Sequence, residues 1–437
     1  MKIELLGIEI SAEPKRQIIA ELQERIKAGK KTFIVTPYSE FFYRGFFDLD
    51  FKKILNKADF AIPDGIAVQW VGYFLSIPLK AKNYYLKIFE ATWQVIYTGS
   101  QIIFAPSKLR KVVKEKISGA DFFWDLCEIA SRDNLSIFLL GGFGNTAKQT
   151  AEKIQQRFPN IRIAGTSNSK PADETLVEQV NSARADILMV AFGPVRQEKW
   201  IHENYDRLHV KVAIGLGGTF DYISGKKKSP PKWIRAIGLE WLFRLFTQPY
   251  RVKRIWNATF GLVRGAMRFK VFQSQPYRQN AVGVIINNKK EVFVAMRELR
   301  HVSDTINFPE GAKPEEHWQF PQGGIDPNED PDKAVLREVW EETGITSAKI
   351  IGKSKKHYSY LWNQTLRPLW LNPLKYKGQK QQIYYLKYAG EDSEIKIDHK
   401  EFDEYKWVPY QDLETVIHPL RKGLVDIVKE EIQEYAR

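Results

Sequence analysis

Three glutamates spaced three and four residues apart, fenced by glycines and a proline, constrain this chain more than any other feature. They lie in Gly323–Ile345, which reads GGIDPNEDPDKAVLREVWEETGI. After Pro331 the pattern predicts a helix over Asp332–Thr343, with Asp332 placed to cap its start and Gly344 to end it. On such a helix Glu338, Glu341 and Glu342 project from one face. Like charges at that spacing repel unless a counter-ion sits among them. A hard cation such as Mg²⁺ takes oxygen ligands and keeps positions open for substrate phosphates. A solvated acidic face is the plain alternative, but it leaves the joint placement of the Gly, Glu and Arg positions to accident.

At these positions the stretch resembles the box of the Nudix hydrolases, with Gly323, Glu329 and Arg337-Glu338-Val339-Trp340-Glu341-Glu342-Thr343-Gly344-Ile345 all in place. The flanks are similar to the RppH-like branch, the RNA pyrophosphohydrolases and dinucleoside polyphosphate hydrolases. They comprise Trp318–Gly324, Tyr277–Asn280 before a strand Ala281–Ile286, Gly378–Gln381 before another strand, and Glu401-Phe402-Asp403 before Tyr405–Val408. The resemblance covers about residues 275–437 and implies an α/β/α sandwich with a mixed sheet. It further implies catalysis by Glu338, Glu341 and Glu342 through Mg²⁺ (Mn²⁺ being the alternative), with Glu401 as an additional ligand. Arg278 and Lys380 become phosphate contacts, and Arg337 the ion-pair partner of Glu329. Tyr358, Tyr360, Trp362 and Trp370 suit either base stacking or core packing. His301, His317, His357 and His399 have no metal spacing. An insertion, Arg300–Glu316, leaves the substrate open among capped or triphosphorylated RNA 5′ ends, dinucleoside polyphosphates and nucleotide sugars.

A chain of 437 residues is long for one core, so two domains are expected. Its net charge of +14 favours anionic partners, whether phosphates, nucleic acid or an acidic lipid surface. No nucleic-acid-binding motif accompanies the charge, which weighs against a DNA-binding protein. The single cysteine, Cys127, excludes an intrachain disulfide and fits a reducing compartment. Its apolar setting, Phe122–Ala130, reads as core rather than as a nucleophile's. The start, MKIELLGIEI, shows no secretory signal, and no run of eighteen uncharged apolar residues argues for a membrane span.

Residues 31–260 alternate strand-like runs with amphipathic ones. Strands are expected at Thr32–Thr36, Phe60–Ile62, Ser136–Leu140, Arg162–Gly165, Ile187–Phe192 and Lys211–Leu216. Helices are expected at Glu40–Asn56, Ala120–Asp133, Asn145–Phe158, Glu174–Ala183, Arg196–Asn204 and Pro231–Thr247. That alternation predicts a mostly parallel sheet with helices on both faces, where ligands collect beyond the carboxyl ends of the strands. Those ends carry Thr36-Pro37, Ile62-Pro63-Asp64-Gly65, Leu140-Gly141-Gly142-Phe143-Gly144-Asn145, Phe192–Trp200 and Gly215–Asp221. The glycine-rich turn has the form of a phosphate cradle, though tight packing uses glycine too.

In order and spacing, IPDG, SGAD, LLGG, FGPVRQEKW, GLGGTFDYISG and KWIRAIGLEWLFRLFTQPYR resemble the WecB/TagA/CpsF (WecG) glycosyltransferases over about residues 1–260. The resemblance implies transfer of an N-acetylmannosamine-type sugar from a UDP-sugar to a polyprenyl-diphosphate lipid acceptor, with no cofactor required. Asp64 becomes the general base on the acceptor hydroxyl, with Thr36 beside it. Gln197 and the loop Gly217, Gly218 to Asp221 become donor contacts. Lys116 stands where the family has a phosphate-facing arginine, keeping the charge without the bidentate contact. Tyr38 follows Thr36-Pro37 where the family has asparagine. The stretch Trp70–Lys111 is longer than the family leads one to expect. Its Tyr84, Tyr85, Phe89, Trp93 and Tyr97 read as core-packed extra helices, with contact to lipid headgroups as the alternative.

The organisation expected is therefore a transferase domain (1–260) with a basic appendage, a linker (261–276) and a Nudix domain (277–437). In the appendage Leu239, Leu242, Phe243 and Phe246 recur at helical spacing among Arg235, Arg244, Arg251 and Arg254, which suits an anionic membrane surface. A cytoplasmic enzyme peripherally bound to the inner face of the membrane, and able to form homo-oligomers through its first domain, is the combined expectation. The alternative is that the Nudix half alone is catalytic and the first half a sugar-nucleotide or lipid-binding scaffold.

Overall fold

The computed structural model describes residues 2–227, 256–297, 317–362 and 375–435, with isolated positions between 231 and 252. The chain divides into two compact units, Met1–Val271 and Phe272–Arg437. The helix expected at Pro231–Thr247 falls almost wholly outside the described residues, as do the insertion Arg300–Glu316, His301 and Trp370.

The first unit opens with a hairpin, β1 (Lys2–Leu5) and β2 (Ile8–Ser11), then α1 (Lys15–Lys27), β3 (Thr32–Val35), α2 (Ser39–Gly45) and α3 (Leu49–Asn56). There follow β4 (Phe60–Ala61), α4 (Ile66–Ser76), α5 (Tyr84–Phe104), α6 (Gly119–Arg132), β5 (Ser136–Gly141), α7 (Thr146–Arg157) and β6 (Arg162–Ser167). The unit continues with α8 (Leu176–Ser182), β7 (Ile187–Ala191), α9 (Arg196–Asn204), β8 (Val212–Gly215), α10 (Thr219–Ile223) and α11 (Leu262–Gln273). Six strands form one parallel sheet in the order β4-β3-β8-β7-β5-β6. Strands β3, β5, β7 and β8 are buried along their whole length because both faces are covered. Side chains alternate between two cores: Phe33, Leu188 and Val190 enter one, Ile34, Ile187 and Met189 the other.

Three expectations need correction here. The helix read as Glu40–Asn56 is two helices, since Asp48 accepts a hydrogen bond from the Phe51 N–H (2.8 Å) and caps a new start. The linker stretch 261–276 carries α11, whose Leu262 and Ala266 belong to the first unit's core. Most consequentially, the aromatic residues of α5 do not pack into the core: Tyr85, Phe89 and Trp93 are exposed. The inward face of α5 is instead Lys87, Ala91, Gln94, Thr98 and Gln101, whose polar groups are satisfied locally. Thr98 Oγ1 accepts from Trp70 Nε1 (2.9 Å), Gln94 Nε2 donates to the Pro78 carbonyl (3.1 Å), and Lys270 Nζ donates to Gln94 Oε1 and the Phe74 carbonyl.

The second unit contains β9 (Arg278–Ile286), β10 (Glu291–Arg297), β11 (His317–Gln319), β12 (Gln322–Gly324), α12 (Pro331–Thr343), β13 (Lys349–Leu361), β14 (Gly378–Lys387), β15 (Glu404–Pro409), α13 (Leu413–Val416) and α14 (Lys422–Tyr435). Its seven-stranded sheet is mixed: β9 and β14 run parallel, and the remaining pairs are antiparallel. Val335 and Val339 of α12 cover one face, and Leu424, Val425, Val428 and Ile432 of α14 the other. The result is an α/β/α sandwich. The cap of α12 is Asp330, whose side chain accepts from the N–H groups of Asp332 (2.9 Å) and Lys333 (3.3 Å), so the expected cap at Asp332 shifts by two. Pro331 takes the first helical position, where no N–H is needed, and Gly344 ends the helix at φ 73°. His317 packs edge-to-face on His418 (4.5 Å), and burial lowers it to about 3, so it is a neutral core histidine.

Candidate active sites

The carboxyl ends of β3, β4, β5, β7 and β8 open into a cavity of about 720 Å³ in the first unit. Thr36, Asp64, Gln197, Gly217, Gly218 and Asp221 all line it. The turn bearing Asp64 is tied to the loop after β3 by its N–H, which donates to the Pro37 carbonyl (2.9 Å). A Cβ on Gly119 would lie 3.5 Å from Asp64 Oδ2, 3.8 Å from Thr219 Oγ1 and 4.0 Å from Thr36 Oγ1, so the three polar groups converge there. Gln197 Oε1 accepts the Gly217 N–H (2.9 Å) and so fixes the glycine loop. Asp221 pairs with Lys227. Lys116, unlike the others, lies outside the cavity lining. Tyr38 is part of the wall and donates its hydroxyl to Glu40 Oε2 (2.8 Å). In the glycine-rich turn, Gly142 and Phe143 line the cavity, while Gly141 is required by packing: its Cβ would meet Ala191 at 2.9 Å. Trp70, Val95, Ile102 and Leu262 form an apolar part of the wall, while Asn168, Ser169, Lys170 and Arg196 line it elsewhere.

The second unit has a cavity of about 230 Å³ lined by Glu338, Glu342, Glu401, Arg278, Arg297 and Arg421, among others. Arg337 holds the box together. Its Nε and one Nη grip Glu329 at 2.7 and 2.9 Å, and its other Nη donates to Glu338 (2.8 Å) and Glu341 (2.9 Å). The hydrogen bonds from Arg337 hold Glu329 down at about 2. Glu342 is buried and accepts the Gln322 N–H (2.8 Å). Burial pushes the Glu338 and Glu342 carboxyls up, and the mutual repulsion of neighbouring carboxylates adds to it.

Two site expectations in this unit differ from what is found. Glu341 is outside the cavity lining, because Arg337 one turn earlier draws it to the helix surface. Lys380 is outside it too; strand alternation sends Gln379 and Gln381 to the cavity side and Lys380 to the other. Tyr360 lines the cavity and donates to Gln379 Oε1 (2.5 Å), whereas Tyr358 packs against the core.

The sequence profile of the glycosyl transferase WecG/TagA/CpsF family matches residues 3–98 and 79–276, and that of the NUDIX domain matches residues 277–430. An N-acetylglucosaminyldiphosphoundecaprenol N-acetyl-beta-D-mannosaminyltransferase of Bacillus subtilis is 34% identical over 210 residues, 48% of this chain and 68% of that protein. An RNA pyrophosphohydrolase of Sphingopyxis alaskensis is 38% identical over 154 residues, 34% of this chain and 88% of that protein. The chain belongs to both families. It is a WecG-type glycosyltransferase joined to a Nudix pyrophosphohydrolase.

Nudix hydrolases generally work with a divalent metal. Among the described residues no group of three His, Cys, Asp or Glu side chains is arranged to hold one as it stands. The donor chemistry nevertheless fits: Glu338, Glu342 and Glu401 offer hard oxygens to one cavity, and two of them carry a burial penalty that a cation would relieve. Arg337 donates to Glu338 (2.8 Å), and Arg297 lies 3.0 Å from Glu401. The box glycine is explained by the same geometry, since a Cβ on Gly323 would fall 1.8 Å from the Glu338 carboxylate. Gly323→Ala is therefore expected to displace Glu338 and cut hydrolysis at least about tenfold, as a misplaced metal ligand does. Steady-state turnover with Mg²⁺ checks this, and an unchanged rate refutes the packing argument.

Sequence reasoning missed Arg297 and Arg421, which stand in no motif, and Glu198, which hides inside FGPVRQEKW. Glu198 is fully buried, and its two oxygens accept from Gln197 Nε2 and the Val195 N–H, both at 2.7 Å. It thus positions Gln197 and the strained Val195 (φ 71°) at the transferase cavity. Burial raises its carboxyl to about 7. The unfolded chain ionises near 4.5 while the folded one stays protonated, so stability falls as pH rises from 4.5 to 7, by about 3 kcal/mol. Glu198→Gln is expected to remove that slope. Chemical denaturation of both proteins across this range measures it, and parallel curves would refute it.

Proposed function

We propose that the first unit transfers an N-acetylmannosamine-type sugar from a UDP-sugar to a polyprenyl-diphosphate-linked acceptor. The observation that carries this reading is one cavity with a polar end, Asp64, Thr36 and Thr219, and an apolar wall, Trp70, Val95, Ile102 and Leu262. Asp64 takes the proton of the acceptor hydroxyl as that oxygen attacks the anomeric carbon and UDP departs. Gln197 and the Gly217–Asp221 loop hold the donor, and the apolar wall takes the start of the isoprenoid chain. The name of the Bacillus subtilis relative supports this pair of substrates. A lipid-linked acceptor also supports work at the inner face of a membrane as a peripheral enzyme.

The second unit, in this proposal, hydrolyses a phosphoanhydride of a triphosphorylated RNA 5′ end or of a dinucleoside polyphosphate. Glu338, Glu342 and Glu401 would hold Mg²⁺, with Glu341 as a further ligand from the same helix. Arg278, Arg297 and Arg421 bind the phosphates, and a box glutamate accepts the proton of the attacking water. The ion, when bound, supplies charge neutralisation at the phosphates. The full-length chain given UDP-ManNAc and a lipid-linked acceptor should release UDP in an acceptor-dependent way. Given Mg²⁺, it should release pyrophosphate from triphosphorylated RNA or cleave diadenosine tetraphosphate. Absence of acceptor-dependent UDP release would refute the first half, and absence of Mg²⁺-dependent cleavage of both nucleotides the second.

A further inference from the structure

Helix α5 is amphipathic the wrong way round for a helix that covers a core. Tyr85, Phe89, Trp93, Ile96, Ile103 and Phe104 fall within an arc of about 120° on its outer side, at 100° per residue. Phe89 is 74% exposed, Trp93 64% and Phe104 81%, so this is an apolar ridge about 30 Å long standing in water. The polar residues that would ordinarily face solvent are turned inward and satisfied there, as Thr98 and Gln94 show. The one carboxylate of the helix, Glu90, accepts the N–H groups of Lys80 and Ala81 (2.9–3.0 Å). Exposed cations flank both ends: Lys80 and Lys82 before the helix, Lys108, Lys111 and Lys114 after it. The family match itself falls into two stretches that overlap over residues 79–98, which include most of α5.

We infer that this outer face of α5 is a membrane-docking surface, lying in the headgroup region of an anionic phospholipid bilayer. The charge complementarity decides the occupant, because an apolar stripe bordered by lysines fits acyl chains beneath anionic headgroups. No helix among the described residues is long and apolar enough to cross a membrane, so α5 lies along the surface. Val95, Gly99 and Ile102 on the flank of the same helix line the transferase cavity. The helix that meets the bilayer is therefore also a wall of the pocket, and a lipid-linked acceptor can pass from one to the other along it. The purpose of the surface rests on the acceptor proposed above, but the surface is tested without turnover.

Cys127, the single native cysteine, is fully buried, so Trp93→Cys in the full-length chain can be labelled at that position with an environment-sensitive fluorophore. Vesicles of phosphatidylcholine containing about 30% phosphatidylglycerol should shift its emission to the blue and carry the protein upward on flotation. Phe89→Ser with Trp93→Ser and Phe104→Ser should weaken flotation at least about tenfold. Lys82→Glu with Lys108→Glu and Lys111→Glu should do the same on these vesicles. None of these residues lines the cavity, so transfer to a detergent-solubilised acceptor should persist in each folded variant. No blue shift, or flotation untouched by the apolar substitutions, overturns the inference. A wild-type dimer that the apolar variant dissolves in sedimentation velocity, without vesicle binding, overturns it in favour of a second copy of the chain.

Discussion

Asp64→Asn is expected to lower glycosyl transfer by about 10³-fold, through kcat, while leaving the KM for the UDP-sugar nearly unchanged. Asparagine is isosteric with aspartate but cannot take a proton from the acceptor hydroxyl. The backbone that holds position 64 does not depend on the carboxylate: its N–H bonds the Pro37 carbonyl, and Gly65 at φ 90° makes the turn. The folded state should therefore survive, and a thermal melt within a few degrees of wild type is part of the expectation. Thr36 is the contrast. Its hydroxyl donates weakly to the Gly215 carbonyl (3.4 Å), so Thr36→Val should remove an orienting contact and cost about tenfold. Rates read with UDP-ManNAc and a lipid acceptor decide the matter: a loss below threefold in Asp64→Asn places the base elsewhere.

Much of this was legible in the sequence where a residue type has one physical use. The parallel sheet followed from buried runs such as Ile187–Ala191, which can be apolar on both faces when helices cover both. The pairing of Arg337 with Glu329, implied by the resemblance, also suits a guanidinium set among carboxylates. What stayed hidden depended on choices that neighbours make in space. Lys380 and Gln379 are adjacent, and the pleat alone decides which reaches the cavity. Glu341 and Glu342 are adjacent too; the first went to Arg337 and the second to the Gln322 N–H. The aromatic residues of α5 suggest core, because large apolar side chains are usually buried. The lysine and glutamine residues on the opposite face carried the contrary signal, at the same helical spacing.

Glu342→Gln is expected to abolish most Mg²⁺-dependent hydrolysis, a loss of about 10² to 10³-fold, and to change the protein's response to metal in the opposite sense from its response to heat. In the metal-free protein Glu342 is a buried carboxyl held by one backbone N–H, with Glu338 and Glu401 adding repulsion. Glutamine keeps the acceptor for the Gln322 N–H and removes that repulsion, so the metal-free variant should melt no lower than wild type. Wild type should gain stability on adding Mg²⁺, by about 2.7 kcal/mol at a hundred times the Kd, whereas the variant should gain little. A residue with a merely structural role would show the reverse, a lower melting point with metal stabilisation intact. Differential scanning calorimetry across a Mg²⁺ titration, beside pyrophosphate release from triphosphorylated RNA, separates the two. Retention of both turnover and the Mg²⁺-dependent gain in Glu342→Gln would remove Glu342 from the metal site. Charge neutralisation at the phosphates would then fall to Arg278, Arg297 and Arg421, which line the same cavity.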